Sequence, residues 1–183
     1  MFWNDYQVQA LSTAVFPLDR SVEYTVLGLV SEVGEMAEAY AIGKANPWGF
    51  DAVTRKLALS EGADAFWYCA AIADALDWRL EDVATGYEEL VPYITGRGFV
   101  LVEIMVLAGN MAGYVKKAIR DNDGYLTPEA TSKLHKDLHT VLWRLDNWCQ
   151  NFGSSRHIEM VNNLNKLSDR KTRGVIGGSG NNR

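Results

Sequence analysis

Cysteine, proline and positive charge are all scarce in this 183-residue sequence, and each shortage excludes something. The two cysteines, Cys69 and Cys149, both sit inside apolar stretches. Two thiols cannot build a disulfide framework, so they read as reduced, buried side chains of a cytoplasmic protein. Four prolines leave room for long uninterrupted helices. The 18 Lys plus Arg are outnumbered by 23 Asp plus Glu, a net charge of −5. That balance argues against a surface that coats nucleic acid or an anionic membrane, while a small anionic ligand stays open. The start of the chain, Met1 to Gln7, lacks the basic region and apolar run of a signal peptide. The most apolar segment, Phe99 to Val115, carries Glu103 and Asn110. It falls short of the ~20 apolar residues that a membrane span needs, and reads as a helix buried in a bundle.

What the sequence does have is a core and a helical period. With 48% hydrophobic and 22% charged residues it can fold around a packed interior. From Val22 to Tyr40 the apolar residues Val22, Val26, Leu29, Val30, Val33, Met36, Ala37 and Tyr40 recur at three- and four-residue steps, the mark of an amphipathic helix. A similar stripe runs from Leu57 to Leu76. Ser21 and Asp51 stand where helices begin, and Thr127-Pro128-Glu129 is an N-cap followed by proline at the first helical position. Gly43 to Gly49, Asp121 to Gly124 and Gly153 to Ser155 read as connections. No alternating strand pattern is present, so the expected class is all-α.

The helices repeat. Gly34-Glu35-Met36-Ala37 returns 75 residues later as Gly109-Asn110-Met111-Ala112, and Ala65-Phe66-Trp67-Tyr68 returns 76 later as Val141-Leu142-Trp143-Arg144. Leu80-Glu81-Asp82-Val83 matches Ile158-Glu159-Met160-Val161 at 78, and Tyr87 to Leu90 lines up with Leu164 to Leu167. Three echoes in order imply a duplication: a first copy within 1–96, a second within 97–170, and a glycine-rich tail over 171–183. The copies differ in charge. Residues 21–90 hold 13 acids and 4 bases, a net of −9, whereas residues 98–183 hold 8 acids and 12 bases, a net of +4.

In the first copy Glu32 and Glu35 lie three apart on one helix, and Glu61 and Asp64 three apart on the next. Each pair projects from one helix face, and an antiparallel hairpin can bring the pairs together. Their neighbours Leu29, Val33, Met36, Ala65, Trp67 and Tyr68 are apolar. Facing carboxylates near an apolar interior repel unless a cation compensates, although a solvated acidic face would carry the same spacing. Four oxygen donors suit Mg²⁺ or Mn²⁺, whereas zinc favours His and Cys, and di-iron bundles use Glu-x-x-His, which does not occur here. His135 and His139 are spaced i, i+4 but are only two ligands, and read as polar-face residues.

These residues carry a resemblance. Gly28 to Glu35, with its Glu-x-x-Glu, and Glu61 to Tyr68, with its Glu-x-x-Asp, resemble the acidic signature of the MazG-like all-α nucleoside triphosphate pyrophosphohydrolases, the phage-type members most of all. The likeness starts at Tyr6-Gln7, Ala10 and Thr13-Ala14 and extends to Asn163 to Arg170 and the tail. It implies a MazG-like helical bundle that hydrolyses a nucleoside triphosphate to the monophosphate and pyrophosphate in the host cytoplasm. It implies Mg²⁺, or Mn²⁺, held by Glu32, Glu35, Glu61 and Asp64, with Glu32 or Glu35 positioning the attacking water.

Two departures shape the expected site. Relatives place Asn-x-x-Lys-Leu one helix after Glu-x-x-Asp, but this chain has Gly86-Tyr87-Glu88-Glu89-Leu90 there. The second copy has that motif as Asn163, Lys166 and Arg170, while its acidic positions have become Leu107, Asn110, Asp137 and Thr140. The copies are therefore complementary, as in a homodimer fused into a pseudo-dimer with one working site. The second copy is expected to supply substrate-binding residues Lys166, Arg170 and Asn163, with Lys116 and Lys117 as further candidates. Asn181 stands where relatives commonly have Asp. A non-catalytic nucleotide- or partner-binding bundle is the alternative, and association of two such chains stays open. Trp3, Tyr6, Trp48 and Trp67 are aromatic enough to stack on a base, but at helical spacing such residues are core more often.

Overall fold

The computed structural model describes residues 1–85 and 96–175, so the readings of Gly86 to Leu90 and of Asn181 lie outside the described residues. Seven α-helices carry that part of the chain: α1 (Trp3–Leu11), α2 (Ser21–Ala45), α3 (Ala52–Ala75), α4 (Leu80–Thr85), α5 (Arg97–Asp121), α6 (Pro128–Asn151) and α7 (Arg156–Thr172). A 3-10 turn over Leu18–Arg20 precedes α2, and no strand occurs among the described residues, so the protein is all-α.

Most of the expected punctuation is in place. Asp51 caps α3 by accepting the Thr54 amide at 2.8 Å and its hydroxyl at 2.9 Å, and Thr127 caps α6 by accepting the Ala130 amide at 3.2 Å. Ser155 does the same for α7. Ser21 does not cap. The turn ahead of it feeds the chain directly into the helix, leaving Arg20 at the cap position, paired with Glu23 at 2.6 Å. Gly43 does not open a connection either, because α2 runs on to Ala45. Its missing Cβ is what lets the Phe50 ring lie against the helix, where a methyl group would come within 2.2 Å of it.

The helices α2 and α3 form one hairpin and α5 and α6 a second, and α2 packs on α5 to close a four-helix core. Apolar side chains of both hairpins meet in one cluster that includes Leu29, Met36, Phe66, Ile104, Met111 and Trp148. The two hairpins match in length, 25 residues for α2 and α5 and 24 for α3 and α6. They also match in what they bury. Val26, Leu29, Val33 and Met36 of α2 correspond to Leu101, Ile104, Ala108 and Met111 of α5 at 75 residues, and Ala58, Phe66, Cys69 and Ala73 of α3 to Leu134, Leu142, Leu145 and Cys149 of α6 at 76. The third echo does not keep that register, since Leu80 is fully buried while Ile158, its partner at 78, is 50% exposed.

The outer helices are exchanged. α4 packs mainly on α6, and α7 packs mainly on α3, so each copy's last helix covers the other copy's hairpin. α1 joins the two arrangements. Its Asn4 and Gln7 side chains accept the backbone amides of Glu81 and Leu80 at 3.0 and 2.9 Å, capping α4 from a distant part of the chain, and Gln7 also donates to the Trp78 carbonyl at 2.9 Å. The helix α5 joins the bundle as expected, with one face buried and the other exposed. Phe99, Val102 and Val106 remain 77%, 58% and 56% exposed. By length and composition it could cross a membrane, although its Glu103 is ion-paired to the buried Arg144 at 2.5 Å.

The α1–α4 cap yields a prediction. Gln7→Ala leaves the Leu80 amide without its acceptor and should cost about 1–2 kcal/mol. Gln9→Ala, which loses only an exposed bond to Asp5, should stay within about 0.5 kcal/mol. Chemical denaturation of both variants measures the difference.

Candidate metal centre

The hairpin of α2 and α3 brings three acids together. Glu32 comes from the middle of α2, and Glu61 and Asp64 from consecutive turns of α3, and one carboxylate oxygen from each lies within 4.8 Å of the others. Glu61 is only 2% exposed. Gly28, one turn before Glu32, has no side chain, which leaves room for the Tyr68 ring to lie across α2: a Cβ there would sit 1.9 Å from the ring. Burial first, then repulsion from Asp64, Glu35 and Glu61, pushes the Glu32 carboxyl up to about 8, while Lys166 pulls the other way. Glu32 therefore holds a proton at neutral pH when no further cation is near.

Asp64 is held from the second copy. Its Oδ1 accepts from Asn163 Nδ2 at 2.6 Å and its Oδ2 from Lys166 Nζ at 2.5 Å, both on α7. Lys166 Nζ also lies 3.3 Å from Ser60 Oγ. Asn163 Oδ1 in turn accepts the Tyr6 hydroxyl of α1 at 3.2 Å. Tyr6 is fully buried, and burial together with the charge of Asp64 raises its pKa, so it remains a hydroxyl donor. The line from Tyr6 through Asn163 and Asp64 to Lys166 joins α1, α7 and α3 at one point.

The other expected residues divide. Glu35 is exposed on α2 and outside the group of three, although Glu32 feels its charge. A step of three residues turns it about 60° further round the helix. Arg170 is buried on α7 one turn beyond Lys166. Lys116 and Lys117, the further substrate-binding candidates, lie on α5 rather than on the helices that carry the acids. Both are exposed near the end of α5, and Lys117 instead lines a separate cavity with Tyr114, Asp121, Glu129 and Lys133. In the second copy Tyr114 donates to Asp137 at 3.0 Å and Thr140 donates to its own helix at the Lys136 carbonyl. His139 is no polar-face residue: it is buried, with Nδ1 2.8 Å from the Val83 carbonyl, and His135 stands edge-on to Trp78. Trp3 and Tyr6 belong to the core, Trp67 donates to the Ala10 carbonyl at 3.0 Å, and Trp48 is 92% exposed.

Beside the acids lies a feature that sequence reasoning missed. A cleft of about 620 Å³ separates α3 from α7, lined by Arg55, Lys56 and Ser60 on one side and by Glu159, Asn162, Asn163 and Lys166 on the other. Arg55 and Lys56 are half of the four bases in residues 21–90 and precede the acids on the same helix, which was the available signal. Ser60, Asn163 and Lys166 belong both to the cleft and to the contacts around Asp64. The donor set of three carboxylates fits a hard divalent cation.

No family model and no solved structure matches the chain. Among curated proteins it is 39% identical to the Gene 37 protein of Mycobacterium phage L5 over 90 residues, which make up 49% of this chain and 79% of that protein.

The proton on Glu32 sets a pH dependence. Its folded pKa of about 8 lies above its ordinary 4.5, so between those values the native state binds a proton that the unfolded chain has released. Stability of the metal-free protein should therefore fall as pH rises across that window. Glu32→Gln should flatten the fall, measured as denaturation midpoints from pH 4.5 to 8, and an unchanged slope would assign the proton to another group.

Proposed function

We propose that this chain, which belongs to the family of the Gene 37 protein of Mycobacterium phage L5, hydrolyses a nucleoside or deoxynucleoside triphosphate to the monophosphate and pyrophosphate. One observation carries the reading: Glu32, Glu61 and Asp64 converge in the first copy, and Lys166 and Asn163 of the second copy meet them there. The motifs that resemble MazG-like pyrophosphohydrolases supply these same residues.

Glu32, Glu61 and Asp64 would hold Mg²⁺, with Mn²⁺ meeting the same donors and Glu35 standing nearby as a further carboxylate. A divalent ion bound there supplies charge to offset the phosphates and acidifies a coordinated water. The chain's own residues do the rest. With a cation held there Glu32 would release its proton to solvent and would serve as a carboxylate able to orient or deprotonate the attacking water. Lys166, no longer the only charge balancing Asp64, is free to turn toward a phosphate oxygen. Asn163, braced by Tyr6, keeps Asp64 in place as Lys166 moves. Attack at the α-phosphorus releases pyrophosphate.

The architecture supports a fused pair. Equal hairpins, matching burial and exchanged outer helices are what joining two subunits of a homodimer end to end would leave.

Incubation with Mg²⁺ and a panel of ribo- and deoxyribonucleoside triphosphates should release pyrophosphate rather than orthophosphate. Asp64→Asn should abolish that release with the helical circular dichroism unchanged, and Lys166→Ala should cost about 2–4 kcal/mol of transition-state stabilisation. Tight nucleotide binding without turnover in the wild type would make the protein a binding module instead.

A further inference from the structure

We infer that the cleft between α3 and α7 is a polyphosphate site in which Arg55 and Lys56 grip the pyrophosphate end of the substrate. The inference rests on the proposed triphosphate reading and adds to it two residues and a direction. Lys56, Ser60 and Asp64 succeed one another at four-residue steps along one face of α3, so a chain of phosphates lying in the cleft runs from the acids toward the start of that helix. Lys166 stands at the junction, in contact with both Asp64 and Ser60. Arg55 is held across the far end by its bond to the Gly153 carbonyl at 3.3 Å, on the connection that leads into α7. Three cations therefore face one carboxylate in the cleft wall. That carboxylate, Glu159, is buried and accepts from Ser154 and Asn162.

The duplication supplies an internal comparison. Residues 76 positions after Ala52, Arg55, Lys56 and Leu59 are Pro128, Thr131, Ser132 and His135, and these four line a second cavity, of about 460 Å³, together with Trp78 and Leu126. The α3 side of the cleft thus has a counterpart on α6, faced there by Trp78 and Leu126. In the second copy Arg55 and Lys56 are replaced by Thr131 and Ser132, and Glu32 and Asp64 by Leu107 and Thr140. The adjacent cations Arg55 and Lys56 and two of the acids thus have no charged counterpart in the second copy, which keeps Asp137 in place of Glu61 and carries Lys133 and Lys136 on the same helix.

The test is calorimetric binding of inorganic pyrophosphate to the full chain with Mg²⁺, next to binding of a nucleoside monophosphate. Arg55→Ala/Lys56→Ala should weaken pyrophosphate at least about tenfold, through two lost charge-assisted contacts, and leave the monophosphate unaffected. Lys56→Glu should weaken pyrophosphate further, and Thr131→Ala/Ser132→Ala in the second cleft should change nothing. Pyrophosphate affinity equal to wild type in the double variant, or an equal loss for both ligands, overturns the inference. Because this measurement needs no turnover, it separates the two ideas. A protein that hydrolyses triphosphates but binds pyrophosphate without Arg55 and Lys56 refutes the clamp alone, and one that binds through them without hydrolysis refutes only the enzymatic reading.

Discussion

Like charges confined between two packed helices govern how this molecule is built. Ionised carboxylates taken out of water cost several kcal/mol each unless something offsets them. Glu61 is almost fully buried, and Glu32 and Asp64 border it. The fold answers with a proton on Glu32 and with Lys166 on Asp64. That lysine can arrive only because α7 lies on α3 rather than mainly on the hairpin that precedes it in the chain. The exchange of outer helices is therefore an electrostatic requirement as much as a packing outcome. Tyr6 and Asn163 then fix the approach, which makes the short helix α1 part of the site although it carries no acid into it.

The two hairpins show how one backbone arrangement accepts different chemistry. Gly28 faces Tyr68 in the first copy, and at the corresponding positions 75 and 76 residues later Glu103 faces Arg144. A ring lies against bare backbone in one hairpin where an ion pair stands at the corresponding positions of the other. Trp67 and Trp143, 76 residues apart, each donate an indole proton to a carbonyl of a covering helix, Ala10 of α1 for one and Ala84 of α4 for the other. What persists is the shape of the contact and not the partner.

Features set by neighbours on one helix were legible in the sequence. The periodicity of α2 and α3, the caps at Asp51 and Thr127, and the projection of Glu61 and Asp64 from one face all follow from spacing alone. Asn163 and Lys166 were found through a motif. Features that depend on where one helix lies against another were not. Gly43 looked like a loop residue because nothing local reveals that Phe50 folds back onto it. Arg55 and Lys56 were passed over because half of their cleft belongs to α7, about a hundred residues away. Glu35 shares a motif with Glu32, but motif membership does not settle depth of burial, and a rotation of about 60° is enough to leave it in solvent.

A second acidic cluster on α5 and α6 would have set two groups of repelling carboxylates against one core. The second copy avoids this by chemistry that packs. Leu107 and Thr140 carry no charge, and the remaining acid, Asp137, is neutral more readily than usual because burial raises its pKa, with the Tyr114 hydroxyl as its donor. His139, at the position of Ala63 in the first cleft, is instead bonded to Val83 of α4. A side chain that packs α4 onto α6 thus occupies the place where the first copy keeps the small residue that its cleft needs. One hairpin thus packs through uncharged and hydrogen-bonded side chains while the other carries the mutual repulsion of Glu32, Glu61 and Asp64.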